Sequence, residues 1–193
     1  GLLPQEALKA VRGVRRGSAS HAAAFRFKEP RFRAAFAKFE SSADGGRQEA
    51  FQAFCAEQAA WLEDYALFAA LKSRWGGRRW IEWDLDLRCR RPSALAGARR
   101  ELAGEIRYHS FLQYEFDRQW RALRALCRSL GVGLIGDIPI FVAHDSADVW
   151  ARQHLFFLRE DGHPLVVAGV PPDYFSRTGQ LWGNPIYRWE TLK

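Results

Sequence analysis

The chain has 193 residues, 48% of them hydrophobic and 26% charged, with a formal charge of +7. That balance excludes a disordered or collagen-like polymer and allows one domain with a real core. The basic excess comes from dispersed arginines beside alanines, which reads as a solvated face and not as a nucleic-acid footprint. Cys55, Cys89 and Cys127 are odd in number and lack metal-type spacing, so reduced thiols and no metal are expected. No 18-residue apolar run or secretory signal pattern occurs, so neither a membrane span nor export is expected.

In chain order, Leu2–Val11 suits a short helix after Pro4, and Gly17–Ser20 a turn. Phe32, Phe36 and Phe39 recur at helical spacing after Pro30, so a short helix is expected there, broken by Ser41–Gly46. Gln48–Leu71 is a strong helix, with Phe51, Cys55, Leu62, Ala66 and Ala69 along one face and Gly76-Gly77 as its stop. Trp80–Asp84 sets two tryptophans around acidic residues. Pro92 opens a further helix carrying Leu95, Leu102 and Ile106. Tyr108–Leu130 is the second long helix, with Gly131 as its C-terminal cap.

The run Val132–Val142 is apolar and β-branched, as a buried parallel strand should be. Asp145 or Ser146 then caps a helix through Val149 and Trp150. Asp161-Gly162 is a turn, and Leu165–Ala168 a short strand. A long helix, a tight turn, a buried strand and a polar loop make a βα repeat, hence an α/β protein. The pattern leaves a TIM barrel and an open doubly wound sheet both standing.

Three groups could carry chemistry. Asp137 lies inside the strand-like run, where a carboxylate is costly unless paired or facing a ligand. It either orders a site or caps neighbouring amides. His144 and Asp145 follow the strand, in the loop position from which substrate contacts usually come. The tract Gly169–Pro185 has the composition of an ordered loop. In it, Tyr174, Phe175 and Trp182 stand beside Asp173, Gln180 and Asn184. Flat apolar faces beside hydrogen-bonding groups suit a polyhydroxylated ring, although a structural lid has the same composition. No phosphate-binding glycine motif appears: Gly131-Val132-Gly133 precedes the strand, where a dinucleotide fingerprint would follow it.

The runs GDIPIFVAHDSADVW (136–150) and VVAGVPPDYFSRTGQLWGNPIYRW (166–189), with FLQYEFDRQW (111–120), closely resemble 4-α-glucanotransferases, also called amylomaltases. The resemblance runs from about residue 50 to 193 and is weaker over residues 1–49. It implies an α/β fold: part of a TIM (β/α)8 barrel of the α-amylase superfamily with helical insertions, incomplete in this chain. The implied regions are 1–47, the N-terminal part of barrel and insertion; 48–130, helical insertion and barrel helices; and 131–193, a barrel strand with substrate-binding loops.

The implied reaction moves an α-1,4-glucan segment from a maltooligosaccharide to glucose or another glucan by retaining double displacement, without a cofactor, in the cytoplasm. The resemblance carries substrate contact to Asp137, His144, Asp145, Asp173, Tyr174, Phe175, Trp182 and Asn184. It places Trp182 near the acceptor side.

The family's nucleophilic aspartate, acid/base glutamate and third aspartate lie C-terminal to the NPIYRW element. They are therefore expected beyond Lys193, and no carboxylate here is assigned to them. The chain reads as an internal piece, inactive alone, with unpaired strand edges. A starch-type hydrolase and a non-catalytic glucan-binding piece are the alternatives.

Overall fold

The computed structural model describes residues 2–3, 6–7, 20–42 and 45–192. The helix expected over Leu2–Val11 and the turn at Gly17–Ser20 fall mostly outside them. The described chain is mainly helical with one small antiparallel sheet. No described helix is long and apolar enough to cross a membrane.

Helix α1 (His21–Glu40) begins two turns before the expected start at Pro30, because the Ser20 hydroxyl accepts from the Ala23 amide and caps it. Pro30 lies inside the helix, a placement that removes one helical hydrogen bond. A polar clamp grips α1 on both sides of that proline. Arg33 binds Glu29 at 2.9 Å and forks onto both Glu105 oxygens at 2.7 and 2.8 Å. The Tyr108 hydroxyl donates to Glu29 at 3.0 Å, under a guanidinium 3.6 Å from its ring. The Arg33 hydrogen bond holds the Glu105 carboxyl below the usual carboxylate range.

The helix expected over Gln48–Leu71 is two helices, α2 (Gly45–Glu57) and α3 (Ala59–Arg74), broken at Gln58. The Gln58 amide still reaches Phe54 O, but its side chain takes the Trp61 indole N–H at 2.7 Å. The break lets α3 serve two cores. Leu62 joins Phe39, Phe51, Phe54, Phe111 and Tyr114 in one. Leu67, Phe68 and Leu71 join Trp80, Trp83 and Trp150 in the other. Burying each such side chain is worth roughly 1.5–3 kcal/mol.

Gly76 and Gly77 end α3 with positive φ, as expected. Two short elements follow: a 3-10 turn at Trp80–Glu82 and α4 (Leu85–Arg88). The helix opened by Pro92 divides at Leu102 into α5 (Pro92–Glu101) and α6 (Ala103–Ser129). Gly131 (φ 70°) closes α6.

The largest departure from expectation is the run after α6. Val132–Val142 is not a buried strand. Ile135 is 101% exposed, Ile138 82% and Ile140 72%. Among the described residues the only sheet is β1 (Val167–Val170) paired with β2 (Gln180–Pro185), so this run has no strand beside it to complete a ladder. The short strand expected at Leu165–Ala168 is β1, two residues later. Ser146, not Asp145, caps α7 (Ala147–Ala151), accepting from the Val149 amide.

Asp145 works elsewhere, in a latch between α3 and the loop after the exposed run. Lys72 binds its Oδ2 at 2.7 Å, and the Trp80 amide reaches its Oδ1 at 3.2 Å. Lys72 also donates to the Gly77 and Arg78 carbonyls, and the Trp80 indole donates to His144 O at 2.8 Å. His144 is buried. Its Nδ1 lies 3.2 Å from Arg79 Nη2, and its Nε2 lies 2.8 Å from Gly162 O. A guanidinium can only donate, so Nδ1 accepts and the proton sits on Nε2, donated to Gly162.

Gly162 (φ 84°) completes the latch; a Cβ there would lie 2.7 Å from the Trp80 ring. Gly162→Ala should therefore destabilise the protein by about 2–4 kcal/mol, combining backbone strain with overpacking. Gly76→Ala, at φ 59° with open space around it, should cost only about 1 kcal/mol. Urea unfolding of both variants checks the difference.

Burial pushes the His144 imidazole below its usual 6.5, and the Arg79 charge pushes the same way. The unfolded chain therefore takes up the proton first as pH falls. The contribution to stability is complete above about pH 6.5 and is lost as pH drops through the folded pKa. Thermal melts between pH 7.5 and 5 should show this loss, and His144→Gln should flatten it. His109, also lowered by burial, leaves a residual slope.

Candidate aromatic platform

The tract read as an ordered loop is a β-hairpin. β1 and β2 pair Val170 with Gln180, Gly169 with Leu181, and Val167 with Pro185. Between the last two pairs β2 takes four steps where β1 takes two, so Trp182, Gly183 and Asn184 form a bulge. Such a bulge re-aims side chains out of the ladder. Gly183 (φ 78°) supplies the backbone conformation. Gly169 lets the strands approach: a Cβ there would sit 2.7 Å from Gln180 O.

The tip is ordered from within. Asp173 Oδ1 accepts from the amides of Phe175 (2.9 Å) and Ser176 (2.7 Å). The Ser176 hydroxyl donates to Gly179 O at 2.7 Å. On this frame Tyr174 and Phe175 stand 96% and 89% exposed, their rings perpendicular with centroids 5.6 Å apart.

At the base of the hairpin, the half-exposed Trp182 meets Phe141 edge to face at 6.2 Å. Its indole N–H donates to the Gln180 side chain at 3.1 Å. The Asn184 amide donates to Val142 O at 2.9 Å, tying the hairpin to the end of the exposed run. Below the hairpin, Phe156 stacks on Tyr187 at 4.7 Å, and Tyr187 lies 5.2 Å from Trp189.

The structure thus gathers Trp182 and Asn184 with Phe141 and Val142, and it sets Tyr174, Phe175 and Asp173 at the tip. It does not bring His144 or Asp145 onto that surface: both belong to the latch, turned inward by Arg79, Gly162, Lys72 and Trp80. The sequence placed them in a substrate-contacting loop because nothing local reveals partners as distant as Lys72. Asp137 is exposed and not buried in a strand, and its Oδ1 accepts the neighbouring Ile138 amide at 2.8 Å. Phe141 was hidden inside the continuously apolar run Ile140–Val142, where no alternation sets it apart. A cleft of about 790 Å³ opens on the helical side beside Trp75, Asp84 and Leu102, and it shares no residue with the hairpin.

An exposed aromatic surface on an internally bonded hairpin can stack against flat apolar faces while leaving ring hydroxyls to polar neighbours. Comparison with known proteins gives this surface its context. The family model for 4-alpha-glucanotransferase matches residues 2–193. The 4-alpha-glucanotransferase of Thermus thermophilus is 51% identical over 181 residues, covering 94% of this chain and 36% of that protein. The one from Synechocystis is 43% identical over 194 residues, covering 100% and 38%. The amylomaltase of Streptococcus agalactiae, solved in complex with acarbose, superposes with a TM-score of 0.87 at 36% identity, covering 98% of this chain and 38% of that one. The chain thus spans little more than a third of the length of these relatives, and it belongs to the 4-alpha-glucanotransferase family.

Proposed function

We propose that the protein carrying this sequence is a 4-α-glucanotransferase that moves α-1,4-glucan segments from a maltooligosaccharide to glucose or a longer glucan, in the cytoplasm and without a cofactor. In this reading the hairpin holds the sugar. The observation that carries it is the half-exposed Trp182 braced edge-on by Phe141, on a strand tied to Val142. A braced indole keeps its face available at low entropic cost, which is what stacking on a pyranose ring requires. Tyr174 and Phe175 add a second apolar station at the tip. Asp137, four residues before Phe141, has its Oδ1 on the Ile138 amide, which leaves the second carboxylate oxygen outside that bond.

The remainder of the reading follows the family. The exposed run Val132–Val142 is proposed as a strand of a (β/α)8 barrel whose neighbouring strands belong to other parts of the protein. An apolar, β-branched run so exposed has the composition of a buried strand and needs such neighbours. The division into 1–47, 48–130 and 131–193 is kept, with the platform in the third region, which also adds Val149, Trp150 and Phe156 to the helical core. No carboxylate within the chain is proposed as nucleophile or acid/base. Lys72 neutralises Asp145, and one Asp173 oxygen orders its own loop.

Incubated with maltotriose, the protein should give glucose and longer oligomers with little net gain of reducing ends; glucose and maltose with a matching gain would instead make it a hydrolase. Residues 1–193 alone should show no such turnover. Trp182→Ala should raise the KM for maltotriose roughly tenfold, equivalent to about 1.4 kcal/mol of lost binding. Steady-state kinetics with purified variants checks the value, and an unchanged KM would remove the platform.

A further inference from the structure

We infer that Asn184 is a positioning residue that acts through Trp182 and does not itself contact the sugar; the inference rests on the platform reading above. Its amide nitrogen donates one N–H to Val142 O, at 2.9 Å and 42 residues away. The side chain is half-buried, unlike the exposed Trp182 two residues before it.

Three features make this contact decisive for where Trp182 points. First, Trp182, Gly183 and Asn184 form the bulge, where the β1–β2 ladder is interrupted. Regular strand pairing therefore does not fix the Trp182 backbone. Second, Gly183 between them sits at φ 78°, a conformation glycine holds without steric penalty but also without restraint. Third, Phe141, the ring that braces Trp182, precedes Val142 directly and belongs to a run with no ladder of its own. The Asn184 amide bonds the two sides together, two residues from Trp182 and one from Phe141. It fixes the separation of two segments that are each loosely held.

The chemistry of the contact supplies the test. A carbonyl accepts only, so the position requires a donor. Asn184→Asp is isosteric but presents a carboxylate to Val142 O at neutral pH; protonated at low pH, it can donate again. A sugar hydroxyl both donates and accepts, so a direct sugar contact would tolerate the same change.

In the full-length enzyme, KM and kcat for maltotriose are measured between pH 4.5 and 8 for Asn184→Ala, Asn184→Asp, Trp182→Ala and the double variant Asn184→Ala/Trp182→Ala. Thermal melts accompany the kinetics. The expected result is a roughly tenfold rise in KM for Asn184→Ala, larger than any fall in kcat. The rise should be greater for Asn184→Asp at pH 8 and relieved toward wild type near pH 4.5, relative to the wild-type profile. On the Trp182→Ala background, Asn184→Ala should cost less than twofold more in kcat/KM, because both act through one ring.

The inference is overturned if Asn184→Asp binds as well as wild type at pH 8, or if the two Ala effects multiply. If Trp182→Ala raises KM and the Asn184 variants do not, the positioning role alone falls. If Trp182→Ala leaves KM unchanged, the platform itself falls, and the positioning role with it. A variant that has lost its cooperative melt is replaced by Phe141→Ala, which removes the brace from the other side and should be equally non-additive with Trp182→Ala.

Discussion

The carboxylate of Asp145 is the point on which the arrangement turns. It accepts from Lys72 on α3 and from the Trp80 amide, and its neighbour His144 bonds Arg79 and Gly162. Six residues from three stretches of chain, 72–80, 144–145 and 162, meet there. The latch joins the helical body to the loop that follows Val132–Val142, and that loop positions Val142 for the hairpin. Each member is satisfied, which is what makes a partly buried polar network stabilising and not costly. Its geometric condition is a glycine at 162, because the Trp80 ring occupies the space where a side chain would go.

The helices were largely legible in the sequence, and the reasons are local. Phe32, Phe36 and Phe39, the face from Phe51 to Ala69, and the long apolar side of α6 all show helical spacing. Gly76-Gly77 and Gly131 end helices by adopting positive φ. What local pattern missed was decided at a distance. The continuation of α1 through Pro30 depends on an arginine clamp to Glu105, 72 residues away. That His144 and Asp145 latch inward was missed because their partners lie 18 to 73 residues off in sequence.

The candidate site was legible in composition and illegible in form. Tyr174, Phe175 and Trp182 among glycines and prolines read as loop aromatics, and all three are exposed. Their hairpin was not readable, because Gly169, Gly179 and Gly183 interrupt any alternation, and these same glycines let the strands close and bulge. The polar residues beside them change meaning in three dimensions. In the fold Asp173 Oδ1 orders the tip and the Asn184 amide donates to Val142 O. The apolar run Val132–Val142 is the converse case: its composition is that of a buried strand, and Ile135, Ile138 and Ile140 stand exposed.

The central claim is that Trp182, held by Phe141 and by the Asn184 tie, is the surface on which the glucan rests. A crystal structure of the full-length protein soaked with acarbose tests it most directly. The account predicts a sugar ring stacked on the Trp182 face at van der Waals distance, with the Asn184–Val142 hydrogen bond intact. Acarbose bound elsewhere with the Trp182 face bare, or stacked there with Asn184 swung onto a sugar hydroxyl, would contradict it.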